Sequence, residues 1–503
     1  MSYLLAFLPI LSVLILMLFF HRNSQEAGST GWVIGIGIAL FSFGLNWNVF
    51  WVSQVKSLLL SLNVLLVLWP ALLLYNLVDQ IGGVKAIARW LGDMINDRGL
   101  LLLVLAWIFS SVVEGVAGFG LPIAIVGPML VVLGVPSLAA IVSVALGHAW
   151  AVTFGNMGIV YQTLLSLSNI DSSVLAPITA LLLGFTCLAC GLSSAFVLRQ
   201  IRLWPFVLLL SCCMALVQYF CAATALASIG SFSASVVGIL LCILISRVFF
   251  SNTSKTAGSV ALRGAAIAYG SVIVLMVITN LIPSIHGFLA QTIWQINFPE
   301  VQTQTGMITP PGPGQIFRPW LHPGTVIIVS CLISYIIFRK NKYLEANDWK
   351  VVIGKTYKAA ASSSISVICM VGLSSLMEHT GMTMLLAQGL SQVMGSAFPL
   401  VSPLVGMLGA FATGSNNNSN VLFTSLQKGI ASILGIGPAF LVAAQTTGGS
   451  LGSMIAPAKI AVGYSTMGSK DESGKVLRYT LPIGLFIGIC VGLITWLLVN
   501  FSK

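Results

Sequence analysis

Apolar runs long enough to cross a lipid bilayer recur along the whole chain. The clearest cover residues 2–20, 172–197 and 481–501. A helix needs about 20 residues to cross ~30 Å of hydrocarbon. Only 7% of the residues are charged and 57% are hydrophobic, whereas an average soluble domain has roughly 25% charged residues. The pattern predicts an all-α polytopic membrane protein with about 12 or more transmembrane helices.

The Lys and Arg residues indicate the orientation of the chain. The net charge is +11, but the basic residues lie in short loops between apolar runs, as the positive-inside rule describes, so we expect the lipid bilayer and no nucleic acid as a partner. If the basic segment 339–358 is cytoplasmic, the amphipathic segment 82–99 lies inside and the Pro-rich stretch 287–322 outside. Both termini then lie outside, and the first run is expected to be a retained span because no positive n-region precedes it.

Residues 100–168 and 400–468 do not read as simple spans, because glycines, prolines and polar clusters interrupt their apolar runs. Irregular backbone at membrane depth is tolerated only where protein or a water-filled cavity surrounds it. We therefore expect these two regions to carry the function. The predicted organisation is 1–80 as N-terminal transmembrane helices, 81–173 as a first repeat core with broken helices, 174–322 as intervening transmembrane helices and an extramembrane loop, 323–478 as a second repeat core with broken helices, and 479–503 as a C-terminal transmembrane helix.

An internal repeat relates these two regions. A shift of 302 positions lays Glu114 on Asn416 and Pro136 on Pro438. Each copy then runs through an apolar helix into a second glycine-rich break, at 147–158 and 446–457. The amphipathic segment before the first copy is basic, whereas its counterpart at 381–398 has no Lys or Arg. The two copies are therefore predicted to face opposite sides, as two inverted repeats with broken or re-entrant helices, a design of secondary transporters.

Glu114 is the single formally charged residue between Arg98 and Asp171. It lies roughly 20 Å into its apolar segment at 1.5 Å per residue, where a charge costs about 2.5–3.5 kcal/mol and burial favours the neutral carboxyl. Glu114 is predicted to carry a proton; the alternative is a permanently protonated side chain that donates a hydrogen bond between helices. His148 either joins this proton path or bonds within its own turn. Around Glu114, the stretch Gly118, Phe119 and Gly120 is predicted to let backbone approach a ligand.

The second region carries polar groups where packing requires none. Asn and Ser side chains offer uncharged donors and acceptors for a small oxygen-rich solute, unless they form a helix-breaking tip in a water-filled vestibule. Lys459 is a candidate to balance a substrate carboxylate; the alternative is snorkelling to the cytoplasmic interface. We expect the second break at Thr446, Thr447, Gly448 and Gly449. The candidate solute-binding residues here are Ser415, Asn416, Asn417, Asn418, Ser419, Asn420, Thr446, Thr447, Gly448 and Lys459.

Several blocks, in this order, resemble those of the bacterial L-lactate permease family. They are EGVAGFGLPIAI (114–125), FGNMGI (154–159), FATGSNNNSNVLF (411–423), AAQTTGG (443–449) and MIAP (454–457). The resemblance implies a polytopic inner-membrane symporter that moves lactate, glycolate or a related 2-hydroxy monocarboxylate with a proton. The family usually has an acidic residue where Asn416 stands and a lysine where Ser453 stands.

Three other functions compete with proton-coupled symport of a small carboxylate. Asn416, Asn417 and Ser419 with backbone carbonyls could ligate Na⁺ and drive uptake of another organic anion. Loss of the second carboxylate could leave a solute sensor or channel. An intramembrane enzyme is disfavoured because the five histidines are scattered and no metal-ligand cluster is visible. We expect no metal and no cofactor, and the sequence leaves the oligomeric state open.

Overall fold

The computed structural model describes residues 2–118, 120–250, 259–345, 347–467 and 472–502. Within these ranges, 11 helical segments are long and apolar enough to cross a membrane, and two shorter apolar helices accompany them. The predicted all-α polytopic fold is confirmed. Phe119, a candidate binding residue, lies outside the described residues.

The chain begins with two antiparallel helices and a long third one. Glycines on α2 allow close packing: a Cβ at Gly35 would sit 2.6 Å from a Leu373 methyl group, so the contact exists because no side chain is there. The helices are α1 (Ser2–Leu18), α2 (Ser24–Ser42), α3 (Trp47–Gln80) and the amphipathic α4 (Gly83–Met94).

Two broken elements follow α4. Hairpin 1 enters as α5 (Arg98–Leu103), a π-helical stretch (Val104–Phe109) and α6 (Ser110–Val116), and returns as α7 (Leu121–Val132). Broken helix 1 consists of α8 (Ser137–His148) and α9 (Ile159–Ser168). Between them Asn156, Met157 and Gly158 all have positive φ, which ends the helix because L-residues rarely adopt this conformation. The irregular backbone expected at 147–158 is thus present.

Intervening helices and a small β segment separate the two halves. The helices are α10 (Ser172–Val197), α11 (Trp204–Ala223), α12 (Gly230–Phe249), α13 (Val260–Leu281), α14 (Pro283–Leu289) and α15 (Pro323–Lys340). The strands are β1 (Asn297–Phe298), β2 (Val301–Gln302), β3 (Ile308–Thr309) and β4 (Gly312–Pro313). They pair antiparallel as β1 with β4 and β2 with β3. These strands pack beside the α2–α3 connection, where Asn46 Nδ2 donates to Gln302 O at 2.7 Å.

The second half repeats the order of elements found in the first. A long helix, a short helix, a hairpin, a broken helix and a final long helix follow each other in both. Hairpin 2 consists of α18 and α19, and broken helix 2 consists of α20 and α21. The elements are α16 (Asp348–His379), α17 (Met382–Met394), α18 (Phe398–Thr413), α19 (Asn416–Leu434), α20 (Pro438–Met454), α21 (Pro457–Met467) and α22 (Ser473–Phe501).

The repeat register predicted from the sequence holds at the broken helices but is wrong at the hairpin tips. Pro136 immediately precedes α8, and Pro438 is the first residue of α20. Glu114, however, lies in the last turn of the first arm of hairpin 1, whereas Asn416 begins the second arm of hairpin 2. The arms differ in length, so a constant shift does not superpose the two tips.

The second break lies within the predicted range 446–457 but not at Thr446–Gly449, where it was expected. Helix α20 runs unbroken through Thr446–Gly449, and the interruption falls at 455–456, just before Pro457. The glycines serve packing instead: a Cβ at Gly448 would collide with the backbone of Pro403, and one at Gly452 with the backbone of Met407. Small residues of this kind let two membrane helices approach closely, here α18 and α20.

This packing gives a stability prediction. Gly448→Ala forces α20 away from α18, since the obstructing atoms belong to backbone, and we expect a loss of about 1–3 kcal/mol. Gly270→Ala in α13 is the matched control, because its Cβ meets nothing within 4 Å. Thermal unfolding of the detergent-solubilised variants should show a clear drop for the first and none for the second; equal melting temperatures would contradict this role of Gly448.

Candidate functional site

A cavity of about 460 Å³ lies where the two hairpins and the two broken helices meet. We call it the central cavity. Its walls come from hairpin 1, both broken helices, the tip of hairpin 2, α3 and α16, and its mouth from the connection between α1 and α2. The lining polar residues are His21, Arg22, Asn23, Ser24, Glu114, Asn156, Ser363, Ser366, Thr413, Ser415, Asn416, Asn417, Asn418, Ser453 and Lys459.

Glu114 reaches the central cavity from the last turn of hairpin 1. Its side chain is 1% exposed, and its Oε2 has no hydrogen-bond partner among the described residues. A buried carboxyl oxygen without a partner is costly in either protonation state. This oxygen therefore faces a position that a proton, water or solute can fill.

His148 lies behind Glu114, fully buried at the end of α8. Its Nδ1 is 2.6 Å from Val144 O, and its Nε2 is 4.0 Å from Glu114 Oε2. Because the carbonyl only accepts, Nδ1 carries the hydrogen in the neutral ring and Nε2 turns its lone pair toward the carboxyl group. The bond within its own turn thus fixes the ring, and the second nitrogen faces Glu114.

Lys459 enters the same cavity from α21. Its side chain is only 8% exposed, and Nζ donates to Ser453 Oγ at 2.5 Å. Glu114 and Lys459 are close enough for a Coulombic interaction. Gly120 supports this position: its φ of +84° suits glycine, and an added Cβ would sit 3.4 Å from the Lys459 stem. The side chain of Lys459 therefore points into the central cavity.

Asn416 joins hairpin 2 to both broken helices. Its Nδ2 donates to Thr153 Oγ1 at 3.1 Å and to Ser450 Oγ at 3.0 Å, as well as to the backbone oxygen of Thr446 at 3.1 Å. The carbonyl bond fixes which end of the amide carries the nitrogen. Thr153 and Ser450 also bond to each other at 2.6 Å. These contacts form a polar seam between the two halves of the molecule, defined by Thr153, Asn416, Thr446 and Ser450.

The other residues of the hairpin 2 tip divide into two groups. Ser415, Asn417 and Asn418 line the central cavity, and Asn417 Oδ1 has no hydrogen-bond partner among the described residues. Asn420 lies deeper, where Nδ2 donates to Thr446 Oγ1 at 3.1 Å. Ser419 Oγ donates to Gly406 O at 2.7 Å and thereby holds the two arms of the hairpin together. Ser415, Asn417 and Asn418 thus line the cavity together with Asn416, whereas Ser419 and Asn420 hold the surrounding helices together.

Three further candidates lie away from the cavity lining. Thr447 Oγ1 donates to Ala443 O within its own helix at 2.8 Å, and Gly448 packs against α18. Gly118, with φ of +45°, lies against the amide group of Asn156. Thr447 and Gly448 therefore hold the helices that carry the site, and Gly118 positions a residue that lines it.

The candidates chosen from the sequence omitted part of the cavity. Asn156 lines it from broken helix 1, and its Oδ1 has no partner among the described residues. Its place in the block FGNMGI, between two glycines, was the signal available. Ser453 receives the Lys459 hydrogen bond, and Arg22 stands at the mouth, paired with Glu26 at 3.5 Å. Arg22 gave no signal, because it is far from Glu114 in the sequence.

A buried acid and a buried lysine that face one cavity between two helical hairpins are an arrangement typical of membrane transporters. The sequence model of the L-lactate permease family matches residues 2–502. The chain belongs to the L-lactate permease family. It is accordingly a multi-pass membrane transporter of the permease class, and not an enzyme.

Individual relatives agree over nearly the full length. The chain is 27% identical to an L-lactate permease of Streptococcus iniae, over 87% of this chain and 93% of that protein. It is 26% identical to the glycolate permease GlcA of Escherichia coli (strain K12), over 99% and 95%, and 26% identical to the L-lactate permease of the same organism, over 99% and 96%. Among solved structures, the Alcanivorax borkumensis YdaH transporter aligns over 88% of this chain and 86% of its own, with a TM-score of 0.47 and 15% identity.

Proposed function

We propose that this protein carries a small 2-hydroxy monocarboxylate, such as lactate or glycolate, across the inner membrane together with a proton. The observation that carries the proposal is that Glu114 and Lys459 line one cavity of about 460 Å³ beside the asparagine-rich tip of hairpin 2. The cavity thus offers one cation and one titratable acid to a small anion. The relatives named above are lactate and glycolate permeases, which supports the same substrate class.

The substrate carboxylate is assigned to Lys459. An ammonium donor gives a carboxylate a charge-assisted hydrogen bond, roughly twice as strong as a neutral one. Ser453 holds this ammonium group in place. The family usually carries a lysine at the position of Ser453, so Lys459 brings the same charge to that position from α21. Asn417 and Asn418 supply amide groups for the substrate hydroxyl.

The proton is assigned to Glu114. When Lys459 is engaged by the substrate carboxylate, an ionised Glu114 would add a second negative charge to a buried site, which costs free energy unless it takes up a proton. Binding of the anion and protonation of Glu114 therefore favour each other. Such reciprocal coupling is what a symporter needs, and the facing Nε2 of His148 gives the proton a neighbouring acceptor.

Alternating access is assigned to movement of one half against the other along the polar seam. With the orientation predicted from the loops, the mouth beside Arg22 faces the cytoplasm, so the described conformation is open to the inside. Rocking of the inverted halves would close this mouth and open the other side.

Sodium coupling is the second candidate, favoured by one observation. Asn156, Asn416 and Asn417 each have an amide oxygen with no partner among the described residues, and hard cations prefer oxygen ligands. In this version Na⁺ binds those oxygens in place of a proton on Glu114.

Uptake by the purified protein in liposomes tests both candidates. We expect labelled lactate or glycolate to accumulate when the outside is acidic, and roughly tenfold accumulation per pH unit for one proton per anion, since 1.4 kcal/mol is a factor of ten. A protonophore should abolish accumulation, and replacing Na⁺ with choline should not change it. Loss of uptake in choline with persistence in protonophore would establish the sodium version; failure of every small carboxylate tested would sink the proposed substrate class.

A further inference from the structure

A second cavity, of about 650 Å³, lies between α4 and hairpin 1, apart from the central cavity. We call it the basic groove. One wall is α4, which packs on α3 and α13; there Gly83 lies against side chains of Val78 and Ala265. The other wall is formed by both arms of hairpin 1, through Leu101, Leu105, Ile125, Pro128 and Met129. The groove therefore joins a scaffold helix to the hairpin that bears Glu114.

The walls of the basic groove face lipid. Its lining is apolar except at α4, and Val132 at the end of hairpin 1 is 86% exposed. In a chain that spans a bilayer, an exposed apolar surface of this kind is in contact with acyl chains and not with water. The shape and chemistry of the hairpin 1 wall therefore suit a hydrocarbon tail.

The charged residues that line the basic groove are both positive. Lys85 and Arg89 stand one helical turn apart on α4 and both line the groove, whereas no Asp or Glu among the described residues does. Like charges at this spacing repel each other on an isolated helix. A negatively charged group between them would remove the repulsion and add two charge-assisted hydrogen bonds. A neutral lipid would leave the pair unbalanced, and a small soluble anion would leave the apolar wall unused.

We propose that the basic groove is a binding site for one anionic phospholipid, with its phosphate between Lys85 and Arg89 and an acyl chain along hairpin 1. Basic pockets between transmembrane helices at the cytoplasmic side are suited to anionic headgroups. The bound lipid would fill the space between α4 and hairpin 1 and so connect α4 to the hairpin that carries Glu114. This proposal does not depend on which solute or ion the central cavity takes.

Native mass spectrometry of the full-length protein, purified from mixed phosphatidylethanolamine and phosphatidylglycerol vesicles, tests the site. We expect one phosphatidylglycerol to be retained per chain, and Lys85→Gln/Arg89→Gln to weaken its binding roughly 30-fold, since each basic side chain near an anionic surface contributes about a fivefold factor. The control is Lys350→Gln/Lys358→Gln on α16, where two exposed basic residues outside the groove are lost. It should retain the lipid as the wild type does.

A second variant tests whether the lipid needs the space of the groove as well as its two positive charges. Gly92 lines the groove, and its Cβ would meet nothing within 4 Å, so Gly92→Leu should fold and obstruct the acyl chain while both charges remain. Loss of the lipid in this variant and in the double variant supports the site. Equal loss in the α16 control, undiminished binding in Lys85→Gln/Arg89→Gln or in Gly92→Leu, or equal retention of phosphatidylethanolamine would each overturn it.

Discussion

Glu114→Gln is expected to abolish proton-driven accumulation of the substrate while exchange of labelled for unlabelled substrate continues. The amide has nearly the same size and remains neutral, so it imitates the protonated carboxyl group and leaves the packing intact. However, the amide cannot release a proton. After the carrier has released its substrate, it can therefore no longer return empty with an ionised group at position 114. The roughly tenfold gradient that one pH unit supports should therefore not form.

The measurement is a pair of assays on the same liposomes, accumulation under a pH gradient and counterflow without one. Glu378→Gln is the matched control: Glu378, an exposed acid at the end of α16, accepts a hydrogen bond from Ser425 at 3.0 Å and does not line the central cavity. We expect it to accumulate substrate normally. If Glu114→Gln accumulates substrate as well as the wild type does, Glu114 is not the coupling group.

Lys459→Met is expected to raise the substrate concentration needed for half-maximal transport by about 30-fold or more, because removal of one partner of a buried charge pair typically costs 2–5 kcal/mol. Methionine keeps the length and apolar stem of the side chain but gives the carboxylate no donor. The variant also leaves Glu114 without its neighbouring opposite charge, so some loss of thermal stability should accompany the loss of affinity.

Two controls distinguish a loss of substrate affinity in Lys459→Met from a loss of thermal stability. Lys428→Met removes a half-buried lysine of α19 that lies 3.5 Å from Leu167 O and outside the cavity, and it should leave the affinity unchanged. Glu114→Gln/Lys459→Met removes both charges and should recover thermal stability without recovering transport. A wild-type affinity in Lys459→Met, or a double variant that transports normally, would refute the assignment of the substrate carboxylate to Lys459.

The residues most visible in the sequence were those in conflict with their surroundings. Glu114 stands alone among apolar residues, and the asparagine cluster after Gly414 has no place in a simple span, so both predicted a polar cavity at membrane depth that the structure contains. Lys459 was ambiguous, because a flexible lysine at that position could equally extend to an interface; the structure places its Nζ against Ser453 in the lining of the central cavity.

Other features could not be obtained from the linear pattern. Glycines permit both a broken helix and close contact between helices, so Gly448 and Gly449 suggested a break where α20 is continuous and packs on α18. Arg22 reaches the central cavity through the tertiary fold alone, from the connection between α1 and α2. The alignment of the two repeats at the hairpin tips depends on the lengths of the hairpin arms, which no residue pattern indicates.

The polar seam has a mechanical consequence. Thr153, Asn416, Thr446 and Ser450 meet through hydroxyl and amide groups, and not through interlocked hydrocarbon side chains. A water molecule can replace any of these bonds at little enthalpic cost, whereas separating a close-packed apolar interface would forfeit its dispersion contacts. If the two halves move as proposed, this contact can therefore open one hydrogen bond at a time, with water taking up each released partner.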